Sequence, residues 1–157
     1  MKTLILGFGN PILRDDAVGI RIAEALEGEF PDITVVATSE AGLSILDEVT
    51  GYDKLVIIDS IKTGKGKPGE LYKLALEDLK PKSDFSSSHG LDIATAFKLG
   101  EKLGYPMPEK VSIYAVEVKD NTTFGEGCTP EIERSISLIV RQIIEEERLC
   151  QISSPKS

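Results

Sequence analysis

Along the chain, short apolar stretches rich in β-branched residues alternate with stretches whose apolar residues recur every three or four positions. The first pattern is typical of buried strands and the second of amphipathic helices. The elements follow one another in the order β-α-β-α-β-β-α-β-α. Strands that alternate with helices are joined by crossover connections, which give a mostly parallel sheet with helices on both faces. We therefore predict an α/β fold, a three-layer α/β/α sandwich with a mostly parallel five-stranded sheet.

Breaker and capping residues set the boundaries of these elements. Gly28 and Gly51 are predicted to close the first two helices, because glycine is common directly after a helix. Thr129 is the predicted N-cap of the last helix, with Pro130 at its first position. The predicted strands span 3–8, 33–37, 54–59, 70–76 and 110–118, and the segments 62–69 and 119–128 are predicted loops.

A length of 157 residues fits one domain, which we assign to residues 1–150, with 151–157 as a frayed tail. The net charge of −8 leaves no basic surface for nucleic acid and disfavours an anionic membrane. The apolar run at residues 3–8 is too short for a signal peptide, and we interpret it as a buried strand. Cys128 and Cys150 are predicted to be free thiols in a reducing cytoplasm. The sequence does not decide the oligomeric state and favours a monomer only slightly.

In parallel sheets of this kind, ligands bind beyond the carboxyl ends of the strands. Polar residues at that edge are therefore candidates for a ligand site. At least one such residue lies at or after the end of every predicted strand except the fourth, and a further one directly precedes the third predicted helix. They are Asn10, Asp15, Asp16, Glu40, Asp59, His89, Glu117, Lys119 and Asp120.

Asp16, Asp59 and His89 come from three separate segments that meet at this edge, and we predict that they form a metal site. Two carboxylates and one imidazole suit a borderline divalent ion such as nickel, zinc or cobalt. Three protein ligands leave coordination positions open for water or substrate. Each residue also has a structural interpretation. Asp15 or Asp16 would cap a helix, Asp59 would begin a loop, and His89 would be solvated or would cap the following helix.

The glycines in Gly7-Phe8-Gly9-Asn10 raise the question of nucleotide binding. A dinucleotide fingerprint needs a third glycine where Ile12 stands, and no phosphate-binding loop with Gly-Lys-Ser/Thr is present. Acidic residues also occupy the place that a phosphate would approach. We predict no nucleotide cofactor and assign these glycines to a tight exit from the first strand.

Taken together, these motifs resemble those of the nickel–iron hydrogenase maturation endopeptidases. The resemblance rests on Leu6-Gly7-Phe8-Gly9-Asn10, on Asp15-Asp16-Ala17-Val18-Gly19, on Ile58-Asp59, on Ser88-His89 and on Thr129-Pro130, and it spans about residues 3–146. One departure stands after the second strand, where many members carry a glycine-rich segment. Here Ser39-Glu40-Ala41-Gly42 keeps only the last glycine, which bears on the choice of client protein.

The resemblance implies a peptidase that removes a C-terminal extension from the precursor of the hydrogenase large subunit after nickel has been inserted. It implies that Asp16, Asp59 and His89 contact the nickel, which the substrate supplies. The nickel would then polarise the scissile carbonyl or a bound water, or a carboxylate would act as general base. In a third version, Asp16 and Asp59 share a proton as in aspartic-type endopeptidases. The alternative function is a chaperone that recognises the nickel site without cleaving the subunit.

Overall fold

The computed structural model describes residues 1–39, 42–81, 83, 85 and 88–149, with only the backbone of residues 42, 88, 89 and 91. The strands are β1 (Thr3–Phe8), β2 (Ile33–Thr38), β3 (Lys54–Ile61), β4 (Leu71–Leu74) and β5 (Lys110–Glu117). The helices are α1 (Val18–Leu26), α2 (Ile45–Val49), α3 (Ser88–Lys102) and α4 (Pro130–Glu147). The predicted order of elements is therefore confirmed. The predicted tail 151–157, Glu40 and Cys150 lie outside the described residues.

The five strands form one sheet in the order β2-β1-β3-β5-β4. All neighbours are parallel except β4, which runs antiparallel to β5 at the edge. Alternate residues of β1 enter different cores. Leu4 and Leu6 pack with α2 and α3 on one face, whereas Ile5 packs with α1 and α4 on the other. This arrangement confirms the predicted three-layer α/β/α sandwich, and each fully buried aliphatic side chain contributes roughly 1.5–3 kcal/mol to it.

The chain changes direction across the sheet between β1 and β3. From β1 it passes through α1 to β2 on one side, and it then returns through α2 to β3 on the other side of β1. Such a switch point opens a crevice at the carboxyl ends of the two strands, where α/β proteins bind their ligands. Asp16 follows β1, and Asp59 lies near the end of β3. The topology thus brings the segments that carry the two aspartates to the same crevice.

The predicted ends of β3 and β4 were wrong by two residues, and those of β2 and β5 by one. β3 extends past Asp59 to Ile61, because its parallel pairing with β5 continues as far as Ile61 and Glu117. β4 is shorter than the predicted segment 70–76 and ends at Leu74. The backbone amide of Ala75 hydrogen-bonds the Asp78 carboxylate at 2.8 Å, and this contact starts a 3₁₀ turn over Leu76–Asp78. Within the described part of the chain, no helix has the length and apolar character needed to cross a bilayer.

Candidate active site at the carboxyl edge of the sheet

Three glycines allow the segment after β1 to pack closely against the sheet. A β-carbon at Gly9 would lie 2.1 Å from the carbonyl oxygen of Asp16, and one at Gly7 would lie 2.4 Å from that of Gly19. A β-carbon at Gly19 would in turn meet the carbonyl oxygens of Phe8 and Ile58 at 2.4 and 2.6 Å. These distances are too short for any side chain. The predicted tight strand exit is confirmed, and it holds the 3₁₀ helix Arg14–Ala17 against the ends of β1 and β3.

Asp15 is fully buried and joins three segments of the chain. Its carboxylate accepts hydrogen bonds from the backbone amides of Lys119, Asp120 and Thr129 at 2.7–3.1 Å. The Thr129 hydroxyl lies 3.0 Å from both carboxylate oxygens. A buried carboxylate requires such partners, since an unpaired one costs several kcal/mol. Asp15 is therefore a structural residue, although not in the predicted way: it does not cap the following helix, and its oxygens instead fasten the loop after β5 and the start of α4.

Thr129 occupies the predicted N-cap position of α4, with Pro130 at the first turn. Its side chain makes no capping hydrogen bond within the helix, and its hydroxyl donates to Asp15 instead. The neighbouring thiol of Cys128 is free, as predicted, and buried. Burial, together with the negative charges of Asp15 and Glu133, raises the pKa of Cys128 to about 11. This thiol is therefore protonated at neutral pH and does not act as a nucleophile.

Asp16 is half-buried, and its side chain turns toward β3. One carboxylate oxygen accepts a hydrogen bond from the Ser60 hydroxyl, and the other accepts one from the Asn10 backbone amide, both at 2.8 Å. A carboxylate offers about four acceptor positions, so the two neutral donors leave capacity for a further ligand. Of the two adjacent acids, Asp15 is fixed to the scaffold and Asp16 remains available for chemistry.

Asp59 is 6% exposed and projects to the sheet face covered by α3. Its β3 neighbours Ile57 and Ile61 belong to the same core as α3, whereas Ile58 belongs to the opposite core. One Asp59 oxygen accepts a hydrogen bond from the Ser60 backbone amide at 2.8 Å. Asp59 also lines a cavity of about 20 Å³, which has space for a single water molecule.

The first turn of α3 closes this cavity. Gly90 and Ile93 line it together with Asp59, and Gly90 directly follows His89. The backbone of His89 thus lies in the helix turn next to Asp59, while its side chain is outside the described part of the structure. Among the side chains that the structure does describe, no three histidines, cysteines, aspartates or glutamates come together as metal ligands. The predicted set of Asp16, Asp59 and His89 therefore stays a prediction.

Known proteins are similar to this chain in sequence and in fold. The family described as "Hydrogenase maturation protease" matches residues 20–146, which is most of the chain. The chain belongs to the hydrogenase maturation protease family. It is accordingly a peptidase, and the resemblance found in its sequence motifs is confirmed.

Individual members of the family agree with this assignment. The chain is 30% identical over 148 residues to the hydrogenase 2 maturation protease of Escherichia coli, which covers 92% of this chain and 89% of the relative. The structure of the E. coli hydrogenase maturating endopeptidase HybD superposes with a TM-score of 0.80 at 29% identity, covering 94% and 93% of the two chains. The maturation protease HybD of Thermococcus kodakarensis gives a TM-score of 0.69 at 25% identity, covering 96% and 100%.

In this maturation protease, two further polar residues of the predicted edge, Glu117 and Lys119, have partners elsewhere in the chain. Glu117 is buried, and its carboxylate accepts hydrogen bonds from the Thr63 amide and hydroxyl, the Gly64 amide and the Tyr72 hydroxyl. Burial raises the pKa of Glu117, but these hydrogen bonds outweigh it and hold the pKa below the usual value. The side chain of Lys119 pairs with Glu131 at 2.9 Å. Both side chains are therefore engaged within the protein.

Ser60 was missed in the sequence, although its hydroxyl and backbone amide contact the two predicted site acids. Its hydroxyl reaches Asp16, and its amide reaches Asp59. The alternation of side chains along a strand could have identified Ser60, because successive residues project to opposite faces of the sheet. If Asp59 projects to one face of β3, the next residue must project to the other face, where the segment after β1 lies. The apolar run predicts a strand that ends at Asp59, so Ser60 was assigned to the loop and its face of the sheet was not considered.

Proposed function

We propose that this peptidase removes a C-terminal extension from the precursor of the nickel–iron hydrogenase large subunit after nickel insertion, with Asp16, Asp59 and His89 contacting the nickel. The observation that carries the proposal is the pair of hydrogen bonds by which Ser60 connects Asp16 with Asp59 at the switch point of the sheet. Ser60 donates hydrogen bonds to both aspartates, which approach from the two faces of the sheet. We expect the reaction to take place in the cytoplasm.

The chemistry of the donor set supports a contact with nickel in the precursor. Asp16 keeps acceptor positions that the described donors do not fill, and its partners Ser60 and Asn10 are neutral. Within the described residues, no lysine or arginine forms an ion pair with Asp16. An oxygen ligand without a competing cation is suited to a divalent metal, and the imidazole of His89 would add a nitrogen donor.

The arrangement favours metal contact over a proton shared between the two aspartates. A shared proton requires two carboxylates in direct contact. Both oxygens of Asp16 are instead engaged by Ser60 and Asn10, and Asp59 projects toward the α3 face. We therefore propose that the carboxylates bind the precursor through its nickel. One of them then accepts a proton from the water that attacks the scissile peptide carbonyl, and the amine leaves with a proton.

The test is processing of a purified large-subunit precursor, with and without nickel, followed by mass spectrometry. The wild-type protease should remove a C-terminal peptide from the nickel-loaded precursor only. Asp16→Ala, Asp59→Ala and His89→Ala should each lower the processing rate by more than about a hundredfold, since even partners behind metal ligands are worth 10–100-fold. Asp120→Asn is the matched control at the same edge, because it removes the charge of a half-buried carboxylate whose hydrogen-bond donors are Thr122 and Thr123 of the same loop.

The outcomes separate the proposal from its alternative. Normal processing by all three alanine variants would mean that the site is wrongly assigned. An unchanged precursor mass, with co-purification of the two proteins, would favour the non-proteolytic chaperone. Processing of the nickel-free precursor at the same rate would contradict the role of nickel.

A further inference from the structure

Ser60 is buried and contacts two carboxylates, that of Asp16 through its hydroxyl and that of Asp59 through its backbone amide. The residue is 7% exposed, and its hydroxyl lies 2.8 Å from one oxygen of Asp16. The other oxygen of Asp16 is fixed by the Asn10 amide. A carboxylate held by two donors on its two oxygens has one preferred plane, and the remaining acceptor positions then point in defined directions.

The two hydrogen bonds that Ser60 donates differ in how they depend on its side chain. The bond to Asp59 comes from the backbone amide and survives replacement of Ser60 by any residue except proline. The bond to Asp16 comes from the hydroxyl and is lost in alanine. Ser60→Ala therefore removes one hydrogen bond to the Asp16 carboxylate and keeps the hydrogen bond from the backbone amide to Asp59.

We propose that Ser60 is a positioning residue for the reaction, orienting the Asp16 carboxylate toward the metal centre of the precursor. The inference rests on the proposed function. Ser60 itself does not touch the substrate, because its hydroxyl is directed at Asp16 and its backbone is within β3. Partners that stand behind a metal ligand fix its orientation, and their loss typically costs about 10–100-fold in activity or metal affinity.

The test compares Ser60→Ala, Ser60→Thr and Ser112→Ala in the intact protease. Ser60→Ala should lower kcat for the nickel-loaded precursor about 10–100-fold while KM changes by less than about threefold. Ser60→Thr keeps the hydroxyl and should recover most of the rate. Ser112→Ala is the matched control, because it removes a hydroxyl from the adjacent strand β5 at a position paired with Val56, and should leave kcat unchanged.

A second readout is independent of processing. The carboxyl carbon resonances of Asp15 and Asp16 are measured by nuclear magnetic resonance in the metal-free protein. Ser60→Ala should shift the Asp16 resonance and leave that of Asp15, whose donors are unchanged. Ser60→Thr should restore the Asp16 resonance. If threonine does not fold, Ser60→Cys, which keeps a weak donor, should give an intermediate shift and rate.

The two proposals fail in different ways. If the wild-type protein processes the precursor and Ser60→Ala does so equally fast, the role of Ser60 is wrong and the proposed function stands. If the wild-type protein does not cleave the precursor, the proposed function is wrong, and the resonance still reports whether Ser60 orients Asp16. An equal loss of rate in Ser60→Ala and Ser112→Ala would show a general loss of stability and would overturn the inference.

Discussion

Carboxylates at the two ends of the sheet have different partners, cations at the amino end and neutral donors at the carboxyl end. At the amino end, Glu147 pairs with Lys54 at 2.6 Å, has Lys73 at 3.8 Å, and accepts a hydrogen bond from the Tyr114 hydroxyl. At the carboxyl end, Asp15, Asp16 and Glu117 accept hydrogen bonds from amides and hydroxyls. None of these three forms an ion pair with lysine or arginine within the part of the chain that the structure describes.

This difference separates carboxylates that stabilise the fold from one that is available for function. The negative charge of Glu147 is balanced inside the protein, so an incoming cation gains little there. At the carboxyl end, the carboxylates of Asp15, Asp16 and Glu117 are oriented by neutral donors, and their charges are not balanced by an ion pair within the described residues. Coulombic attraction of a divalent cation is strongest where no internal cation competes. This difference supports the proposal that Asp16 contacts a metal that the substrate carries.

The largest expected effect is the difference in stability between alanine variants of the two adjacent acids, Asp15 and Asp16. Asp15→Ala leaves several buried donors without an acceptor and should lower the free energy of unfolding by about 3–5 kcal/mol. Asp16→Ala should lower it by only about 1–2 kcal/mol, because it leaves two donors without an acceptor and water can reach the one on the half-buried Asn10. Urea denaturation measures both values. Equal destabilisation by the two variants would contradict the division between a structural and a functional aspartate.

A smaller effect is expected at the amino end. Glu147→Gln removes the negative charge that balances the largely buried Lys54, and it should lower the free energy of unfolding by about 2–3 kcal/mol. The double variant Lys54→Met/Glu147→Met should be more stable than Glu147→Gln, because it removes both charges. Both variants should process the precursor at rates within about twofold of wild type, measured at a temperature where all are folded. A large loss of processing at full folding would show that the two ends of the sheet are coupled.

The contrast between the two ends could be predicted from the sequence only in part. The strand and helix periods predicted the sheet, its layers and the edge to which the segments that carry Asp16 and Asp59 lead. The partners of Asp15 could not be predicted, because Lys119, Asp120 and Thr129 are more than a hundred residues away, and only the packed fold brings their amides to it. The same holds for the pairing of Lys54 with Glu147, which joins the start of β3 to the end of α4.

Ser60 illustrates a different reason for a missed residue. A serine inside a strand has no distinctive pattern of its own, and its role depends on which face of β3 it occupies. That face is fixed by the register of β3 with β5, where Ser60 lies opposite Val116 and Asp59 opposite Ala115. Register is set by long-range pairing and by the burial of both faces, so a local apolar run does not specify where the strand ends.

The smallest predicted effect concerns Glu117 and depends on pH. Hydrogen bonds from Thr63 and Tyr72 help to hold its pKa below the ordinary value of 4.5 despite burial, so the ionised form is favoured in the folded protein. A lowered pKa contributes stability that is present above pH 4.5 and is lost as the pH falls through the folded-state value. Glu117→Gln should therefore cost about 1 kcal/mol at pH 7, and the difference from wild type should shrink below pH 4.5.

Urea denaturation at a series of pH values measures this difference. Glu101→Gln, in the exposed part of α3, controls for the loss of one negative charge and should follow wild type throughout. Parallel curves for wild type and Glu117→Gln down to acidic pH would mean that the hydrogen bonds to Glu117 do not favour its ionised form. A converging curve would instead show that neutral donors stabilise a buried carboxylate at this edge without the help of a cation. This edge would then carry unbalanced negative charge in the folded protein, whereas the charge of Glu147 is balanced by that of Lys54.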